Sequence, residues 1–537
     1  MTETFRRILE KRGISDVDGF LHPSLKGLAD ASLLPCADEA ADAILSAVAA
    51  RRRIVVFGDY DCDGICATAI LVRTLAALGA DVTPFLPRRL SEGYGMSEAS
   101  VSRMLAENPK VSLVVTVDNG INSVAETKRL MEAGIETVVT DHHLPGAVLP
   151  ETVVVNPKVG DAGVFSDLCG AGVAFMIASV VMRKAKERGL YGGGSVAGPL
   201  LVLAGLATVT DIMPLVGQNR IIVSEALRRF GRCAPEGLRQ LAAKAGRPAA
   251  FRPVARDFGF LLGPRINAAG RLADAVVALN LVLEDDPSLT SQLAESVDSC
   301  NESRKAIEAE MTEKAEALVV EGAAAQVLDL PDGHPGIAGI VASRILERTG
   351  CAAPVCVIAG GHGSARSPEW LNIREAFEAC SECLLSFGGH AAAGGFSVKE
   401  GMVGEFRRRL CRYCRERMPE GEAAGEMEAD LDVTPDELTL DLVDDLRLLE
   451  PCGVGNPEAL FRFAAPEVSD ARRIGQNGKH LALSLCGMRA VWWNMGGLVD
   501  DLCAGARARS AVFSIEASDF GGPHVELRVK AMDLERR

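Results

Sequence analysis

Three short apolar runs in the first third of the chain each end in acids. Ile54-Val55-Val56-Phe57 runs into Gly58-Asp59-Tyr60-Asp61-Cys62-Asp63-Gly64. Leu113-Val114-Val115-Thr116-Val117 runs into Asp118-Asn119-Gly120, and Thr137-Val138-Val139-Thr140 into Asp141-His142-His143. Such runs, bounded by turn residues, predict buried strands. An Ala/Leu-rich helical pattern follows the first from Ala67, and strand and helix signals alternate from about Arg52 to Arg220. That alternation predicts a doubly wound α/β domain with a parallel sheet. In such a sheet the strand C-termini share one crevice, where the three acidic turns would meet.

Downstream the pattern changes. Leu203 to Leu215 is an apolar helical run interrupted by one isolated acid, Asp211. Ser288 to Glu321 holds no Gly or Pro, and Leu289, Leu293, Val297, Cys300, Ile307, Met311, Ala315 and Leu318 keep helical spacing. One helix of about 50 Å is predicted there, at about 1.5 Å per residue, propping two domains apart. A second α/β unit follows over 323–418, with Arg374 to Phe387 and Met402 to Met418 reading as helices. An acidic linker, Glu420 to Asp432, leads to short strands at Phe461–Phe463, Leu481–Leu485, Ala490–Trp493, Ala511–Glu516 and Val525–Met532. With Gly turns and one short helix, these predict an OB-type barrel. The expected fold is therefore α/β: two α/β domains joined by a long helix, plus a C-terminal OB-type β-barrel. Its expected parts are a helical lead-in (1–45), a catalytic domain (46–225), a helical connector (226–322), a second α/β domain (323–420) and the barrel (427–537).

Composition narrows the class. The 537 residues are 48% hydrophobic and 24% charged, as in globular multi-domain proteins. No apolar run approaches the roughly 20 residues of a membrane span. The Arg-rich start, Met1 to Gly13, has no apolar core like that of a signal peptide. Fifteen scattered Cys favour reduced thiols in the cytoplasm. The pairs Cys380-x2-Cys383 and Cys411-x2-Cys414 have zinc-like spacing, but they fall on helical patterns without a Gly-bearing knuckle and read as small core residues. A net charge of −15 argues against coating nucleic acid nonspecifically, while leaving room for an enzyme with local Arg clusters.

Crowded carboxylates repel, and burying them is costly unless a cation binds between them. Singly, Asp-Asn-Gly makes a turn, Asp-His-His caps a helix, and the first motif opens like a calcium loop. The calcium loop fails because Ile70 stands where its twelfth-position Glu is required. Oxygen ligands with imidazole suit Mn²⁺, Mg²⁺ or Zn²⁺, so together the motifs predict a metal-dependent hydrolase. Asp211 is a candidate fourth ligand, because a helix C-terminus is a poor place for an unpaired carboxylate. The Gly263–Arg271 segment offers either arginine forks for phosphate or a tight helix crossing. Glycine-rich turns at His334–Gly339, Gly363–Ser367 and Phe387–Gly395 can form anion-binding nests or plain turns. Arg472, Arg473, Lys479 and His480 are either contacts for a nucleic-acid strand or solvated surface.

These residues resemble the DHH phosphoesterase superfamily, within it the bacterial single-strand-specific DNA exonucleases, over nearly the whole chain. Gly58–Gly64 is similar to the first motif, Asp118 to the second, Asp141-His142-His143 to the name-giving third and Asp211 to the fourth. Pro87–Gly95 and Arg265–Arg271 resemble stretches of the exonuclease branch. Ser364–Ser367 and Gly388-Gly389-His390 resemble a DHHA1 domain, and Leu448–Glu458 the start of the exonuclease OB domain. Departures are Gly333 for a common Trp, Pro368-Glu369-Trp370 for Ile-Pro-Gly, and Cys62 for Ala or Val; none removes an expected ligand. The chain ends where the barrel is expected to close, so the extra C-terminal domain of some relatives is not expected.

The resemblance implies hydrolysis of single-stranded DNA from the 5′ end to mononucleotides, in repair and recombination. Two divalent ions, Mn²⁺ or Mg²⁺, would be bridged by Asp118 and shared by Asp61 and Asp63, with Asp59, His142 and Asp211 completing the ligands. His143 would support the site or touch the scissile phosphate. Arg89, Ser364 and Arg366 would hold a 5′-phosphate, and Arg265, Asn267, Arg271 and His390 the neighbouring nucleotides or the scissile phosphate. Implied partners are single-stranded DNA, a single-stranded-DNA-binding protein and a RecQ-type helicase, for a cytoplasmic monomer without a membrane. Two rivals stand beside this reading: a phosphodiesterase for cyclic dinucleotides or short oligonucleotides, and a catalytically dead nucleic-acid-binding module.

Overall fold

Five parallel strands build the first sheet: β1 (Arg53–Phe57), β2 (Val82–Phe85), β3 (Val111–Val117), β4 (Glu136–Thr140) and β5 (Val153–Val155), in the order β2-β1-β3-β4-β5. The computed structural model describes residues 1–93, 95–419, 427–519 and 522–535. Tyr94 of the Pro87–Gly95 stretch and 420–426 of the acidic linker lie outside these. The strand order reverses between β1 and β3, and in open α/β sheets that switch point is where the crevice opens. The helix Cys62–Ala77 is buried along most of its length, between the sheet and the helices Gly170–Glu187 and Ala197–Thr210. Its apolar run is therefore core on every face.

The long helix spans Pro287–Glu316, ending short of Glu321. The side chain of Gln326 both accepts from the Val320 N–H (3.0 Å) and donates to its carbonyl (2.7 Å), replacing the helical bonds that would have carried the helix onward. The helix packs on Glu236–Lys244, Gly263–Leu272 and Val276–Leu283 near its start and on Ala338–Arg348 near its end. It brings the two α/β units into contact, where Arg271 Nη1 donates to the Gly336 carbonyl at 3.1 Å.

The second sheet comprises β6 (Gln326–Leu330), β7 (Val355–Ala359), β8 (His362–Arg366), β9 (Leu384–Gly389) and β10 (Ala393–Val398), in the order β6-β7-β8-β10-β9. The helix expected over Arg374 to Phe387 stops at Ala379, because from Leu384 onward the chain pairs with β10. Strand pairing overrides the helical spacing of Phe377, Cys380 and Leu384. All fifteen Cys are free thiols, and among the described residues the groups placed to hold a metal ion contain none of them.

The C-terminal sheet runs β11-β12-β16-β17-β15-β14-β13, formed by Leu431–Asp432, Phe461–Ala464, Val468–Ile474, His480–Leu485, Met488–Trp492, Arg507–Ser518 and His524–Glu535 in chain order. Val468–Ile474, an edge strand carrying Asp470, Arg472 and Arg473, lacks the apolar alternation that marks the others. The expected helical lead-in is split between two cores. Phe5, Ile8 and Leu9 of the helix Glu3–Lys11 pack with Leu442, Phe461 and Phe513 of the C-terminal unit. The helix Ala37–Ala49 packs into the core of the first sheet. Among the described residues no helix is long and apolar enough to cross a membrane.

Candidate metal centre

The acids expected at strand ends converge at the switch point. Asp59 follows β1 fully buried, and neither carboxylate oxygen has a hydrogen-bond partner. Asp61 caps the helix Cys62–Ala77, its Oδ1 accepting from the Asp63 and Gly64 N–H groups at 3.0 and 3.1 Å. Asp63 is held from outside its own motif. The N–H groups of Gly170 and Ala171, which open the helix Gly170–Glu187, donate to its two oxygens at 2.7 Å each. A helix N-terminus favours a carboxylate through its free N–H groups and its dipole.

Asp118 ends β3 in a left-handed conformation (φ 61°), and its buried Oδ1 has no hydrogen-bond partner. His142 Nε2 lies 3.2 Å from Asp118 Oδ1, 3.6 Å from Asp63 Oδ2 and 3.7 Å from Asp211 Oδ2. Candidate ligand atoms fall into three overlapping groups: Asp59, Asp61 and Asp118; Asp118, His142 and His143; and Asp63, His142 and Asp211. Within each they lie within 4.8 Å of one another.

Burial, then Asp63, Asp61 and Asp59, push the Asp118 carboxyl well above its ordinary range. Burial and Asp61 do the same to Asp59, and burial with Asp63 raises Asp211 to about 8. Burial lowers His142 despite the acids around it. Orphaned carboxylate oxygens that resist ionising, beside an imidazole held neutral, fit a divalent cation: it would supply the missing partner and reverse the penalty.

Asp141 falls outside the candidate ligand groups among the described residues and is engaged by the protein itself, a role not legible in the sequence motif. Its Oδ1 accepts from the His142 and His143 N–H groups at 2.7 and 3.1 Å and lies 2.7 Å from His143 Nδ1, while Oδ2 takes the Ile121 N–H at 3.0 Å. Burial opposes a charge on His143, but Asp141 outweighs it and raises that imidazole to about 9. Asn119 was also missed; its Nδ2 donates to the Phe57 and Val117 carbonyls and ties β1 to β3 beside the site.

Basic groups gather next to the acids. Arg89 lies over the Tyr60 ring, 5.2 Å from its centroid. Burial and then Arg89 lower Arg271 to about 10; the same two causes lower Arg366 on β8 and His334. Like charges so close together repel, and an anion between them would offset that repulsion. A Cβ on Gly339 would stand 3.1 Å from Arg366 Nη2 and 3.5 Å from Ser364 Oγ, so the missing side chain keeps this corner open. His334 was expected only as the start of a turn that could form an anion nest, not for its side chain.

Two expected substrate contacts are engaged with the protein instead. Arg265 is buried, with Nε 2.7 Å from Asp298 Oδ1 and Nη1 donating to the Leu261 carbonyl at 2.8 Å. Asn267 Oδ1 accepts the Cys62 N–H at 2.7 Å and so braces the aspartate turn. His390 is exposed on the turn between β9 and β10, where its N–H donates to the Ala393 carbonyl.

The chain is similar to known proteins along most of its length. The DHH family, N-terminal domain, matches residues 53–199, the DHHA1 domain 322–416, and the RecJ OB domain 429–531. The single-stranded-DNA-specific exonuclease RecJ of Thermus thermophilus is 40% identical over 502 residues, covering 93% of this chain and 71% of that protein. The crystal structure of Thermus thermophilus RecJ in complex with Mn²⁺ superposes with a TM-score of 0.84 at 35% identity, covering 99% of this chain and 76% of the other. The Mg²⁺ complex superposes at 0.79 and 32%, covering 99% and 74%.

Proposed function

This chain belongs to the RecJ family, and from that membership we propose that it is a metal-dependent exonuclease degrading single-stranded DNA from the 5′ end to mononucleotides, in DNA repair and recombination. The observation that carries the reading is the juxtaposition of orphaned acids with the Arg89, Arg271 and Arg366 cluster. One set of groups calls for cations and the other for the anionic end of a strand.

Asp59, Asp61, Asp63, Asp118, His142 and Asp211 would hold two divalent ions, Mn²⁺ or Mg²⁺, with Asp118 shared. Such ions activate a water at neutral pH and offset charge on the phosphate. The protein's own groups do the rest. Gly170 and Ala171 fix Asp63, Asn267 fixes the aspartate turn, and Asp141 holds the His143 ring so that it can face the scissile phosphate. Arg89, Ser364 and Arg366, with Arg271 and His334, would grip the terminal 5′-phosphate. Gripping the end fixes the register of cleavage at one nucleotide.

The C-terminal unit would guide the strand by stacking and charge, which tolerates any sequence. Trp493 is 51% exposed, with the His480 ring edge-on at 4.6 Å and Arg528 5.5 Å away. A single-stranded-DNA-binding protein and a RecQ-type helicase are fitting partners, since one coats the substrate and the other creates it; the chain would act as a cytoplasmic monomer. The match to the RecJ OB domain disfavours a phosphodiesterase for cyclic dinucleotides.

The test is digestion of end-labelled single strands with and without a 5′-phosphate, a blunt duplex and a duplex with a long 5′ overhang, in Mn²⁺ and in EDTA. Rapid Mn²⁺-dependent loss of the phosphorylated strand, little loss of blunt duplex and trimming of the overhang to near the junction are expected. Equal rates on blunt duplex and single strand would overturn the reading.

A further inference from the structure

We propose that the segment 448–456, which leads into the C-terminal sheet, holds the metal-binding carboxylate of Asp211 in place through Arg220 and a strained turn at Ile212. The inference rests on the reading of Asp211 as a ligand. Asp211 caps the C-terminus of the helix Ala197–Thr210 and is the least enclosed of the candidate ligands, its side chain 31% exposed. Its position therefore depends on the backbone that follows it.

That backbone is unusual. Ile212 is left-handed (φ 59°), and the Met213 N–H closes the helix end on the Thr208 carbonyl at 3.1 Å. Glycine normally fills this position, because a branched Cβ crowds the backbone there. Ile212 is 72% exposed, so burial does not offset the strain. Among the described non-glycine residues with positive φ, it is the only β-branched one.

A strained turn persists where its surroundings over-determine it. Here the Leu215 N–H donates to the Val454 carbonyl at 2.7 Å, and Asn219 Nδ2 donates to the Pro214 carbonyl at 3.1 Å. Gly453 sits against Leu215, where a Cβ would lie 2.8 Å from Leu215 Cδ1. The 448–456 segment is in turn fixed by Arg220. This buried guanidinium donates to the carbonyls of Leu448, Leu449, Glu450 and Pro451 at 3.2, 2.9, 3.1 and 3.4 Å, and to Phe20 at 2.9 Å. Its Cζ lies 3.8 Å from the centroid of the Phe20 ring. Asn456 Nδ2 donates to two of the same carbonyls, of Leu449 and Pro451. The unit that handles the strand and the centre that cuts it are thus joined by one turn.

Mn²⁺ binding to the full chain, followed by loss of the free-ion electron paramagnetic resonance signal, tests this without relying on activity. Circular dichroism melting would confirm that each variant is folded. Asp211→Asn should weaken binding, and Arg220→Met and Gly453→Ala should each weaken it about tenfold, the range of supporting-residue effects at metal sites. Adding Ile212→Gly to Arg220→Met should restore most of the loss, because glycine adopts the turn unaided. If Arg220→Met does not fold, Gly453→Ala decides the question. Wild-type binding by the folded Arg220→Met or Gly453→Ala variants, with Asp211→Asn impaired, would overturn the coupling and leave the ligand reading intact. Wild-type binding by Asp211→Asn would overturn the ligand reading itself. Failure of Ile212→Gly to restore binding would overturn the role of the turn.

Discussion

Gly170 and Asp118, on separate elements, share one space: a Cβ on Gly170 would lie 2.5 Å from the Asp118 Cβ and 2.6 Å from its Oδ1. The same glycine donates its N–H to Asp63. It lets a helix N-terminus approach two candidate ligands at once. Gly170→Ala is expected to displace Asp118 or Asp63 and lower kcat about a hundredfold, the scale of a misplacement of about 1 Å. Strand binding in EDTA should be unchanged. A variant within a fewfold of wild-type kcat would show that the helix can retreat.

Removing Asp118 tests the shared ligand. Asp118→Ala should abolish Mn²⁺-dependent hydrolysis yet still fold, since deleting one buried acid relieves crowding. Mn²⁺ at about 100 times Kd should stabilise the wild type by about 2.7 kcal/mol, a melting shift of several degrees. The variant should lose most of that shift. Differential scanning fluorimetry with Mn²⁺ and with EDTA measures it.

Arg366→Ala should act on binding of the strand end. A charge-assisted contact to phosphate contributes about 1.5–3 kcal/mol, so KM for a 5′-phosphorylated strand should rise about tenfold or more with kcat little changed. An equal rise for 5′-hydroxyl strands would remove Arg366 from the anchor.

Asn267→Ala separates bracing from substrate contact. Losing the acceptor of the Cys62 N–H leaves a donor unpaired, at about 1–3 kcal/mol, and loosens the aspartate turn. A fall in kcat and in Mn²⁺ affinity is expected, with KM for the strand held. A change confined to KM would restore Asn267 to the substrate face.

Trp493→Ala tests the stacking platform. Base–aromatic stacking is worth about 1–3 kcal/mol per base, so KM for a strand of about 30 nucleotides should rise at least fivefold. A dinucleotide, too short to reach the platform, should be cut at the wild-type rate. Equal losses on both substrates would point to a folding defect.

What the sequence determined by itself is local: strands β1, β3 and β4 were legible because short apolar runs stop at turn residues, and the acids behind them because C-terminal strand ends in a parallel sheet open on one crevice. The convergence of Asp59, Asp118 and His142 follows from that geometry, whereas Asp211 arrives from the end of the helix Ala197–Thr210. Only the tertiary structure decided what each polar group pairs with. The segment of Arg265 could be read as a phosphate fork or as a tight helix crossing, and packing set Asp298 beside the guanidinium. Asp63 was legible as a candidate ligand, but its anchors, the N–H groups of Gly170 and Ala171, lie 107 and 108 residues away along the chain. The helix Glu3–Lys11 read as a lead-in to the first domain and packed instead into the C-terminal core. Periodicity reports which face of an element is buried, an effect of nearest neighbours along the chain. The partner of a buried charge is set by whichever opposite group the folded chain brings within about 3 Å, and that distance is not written in spacing.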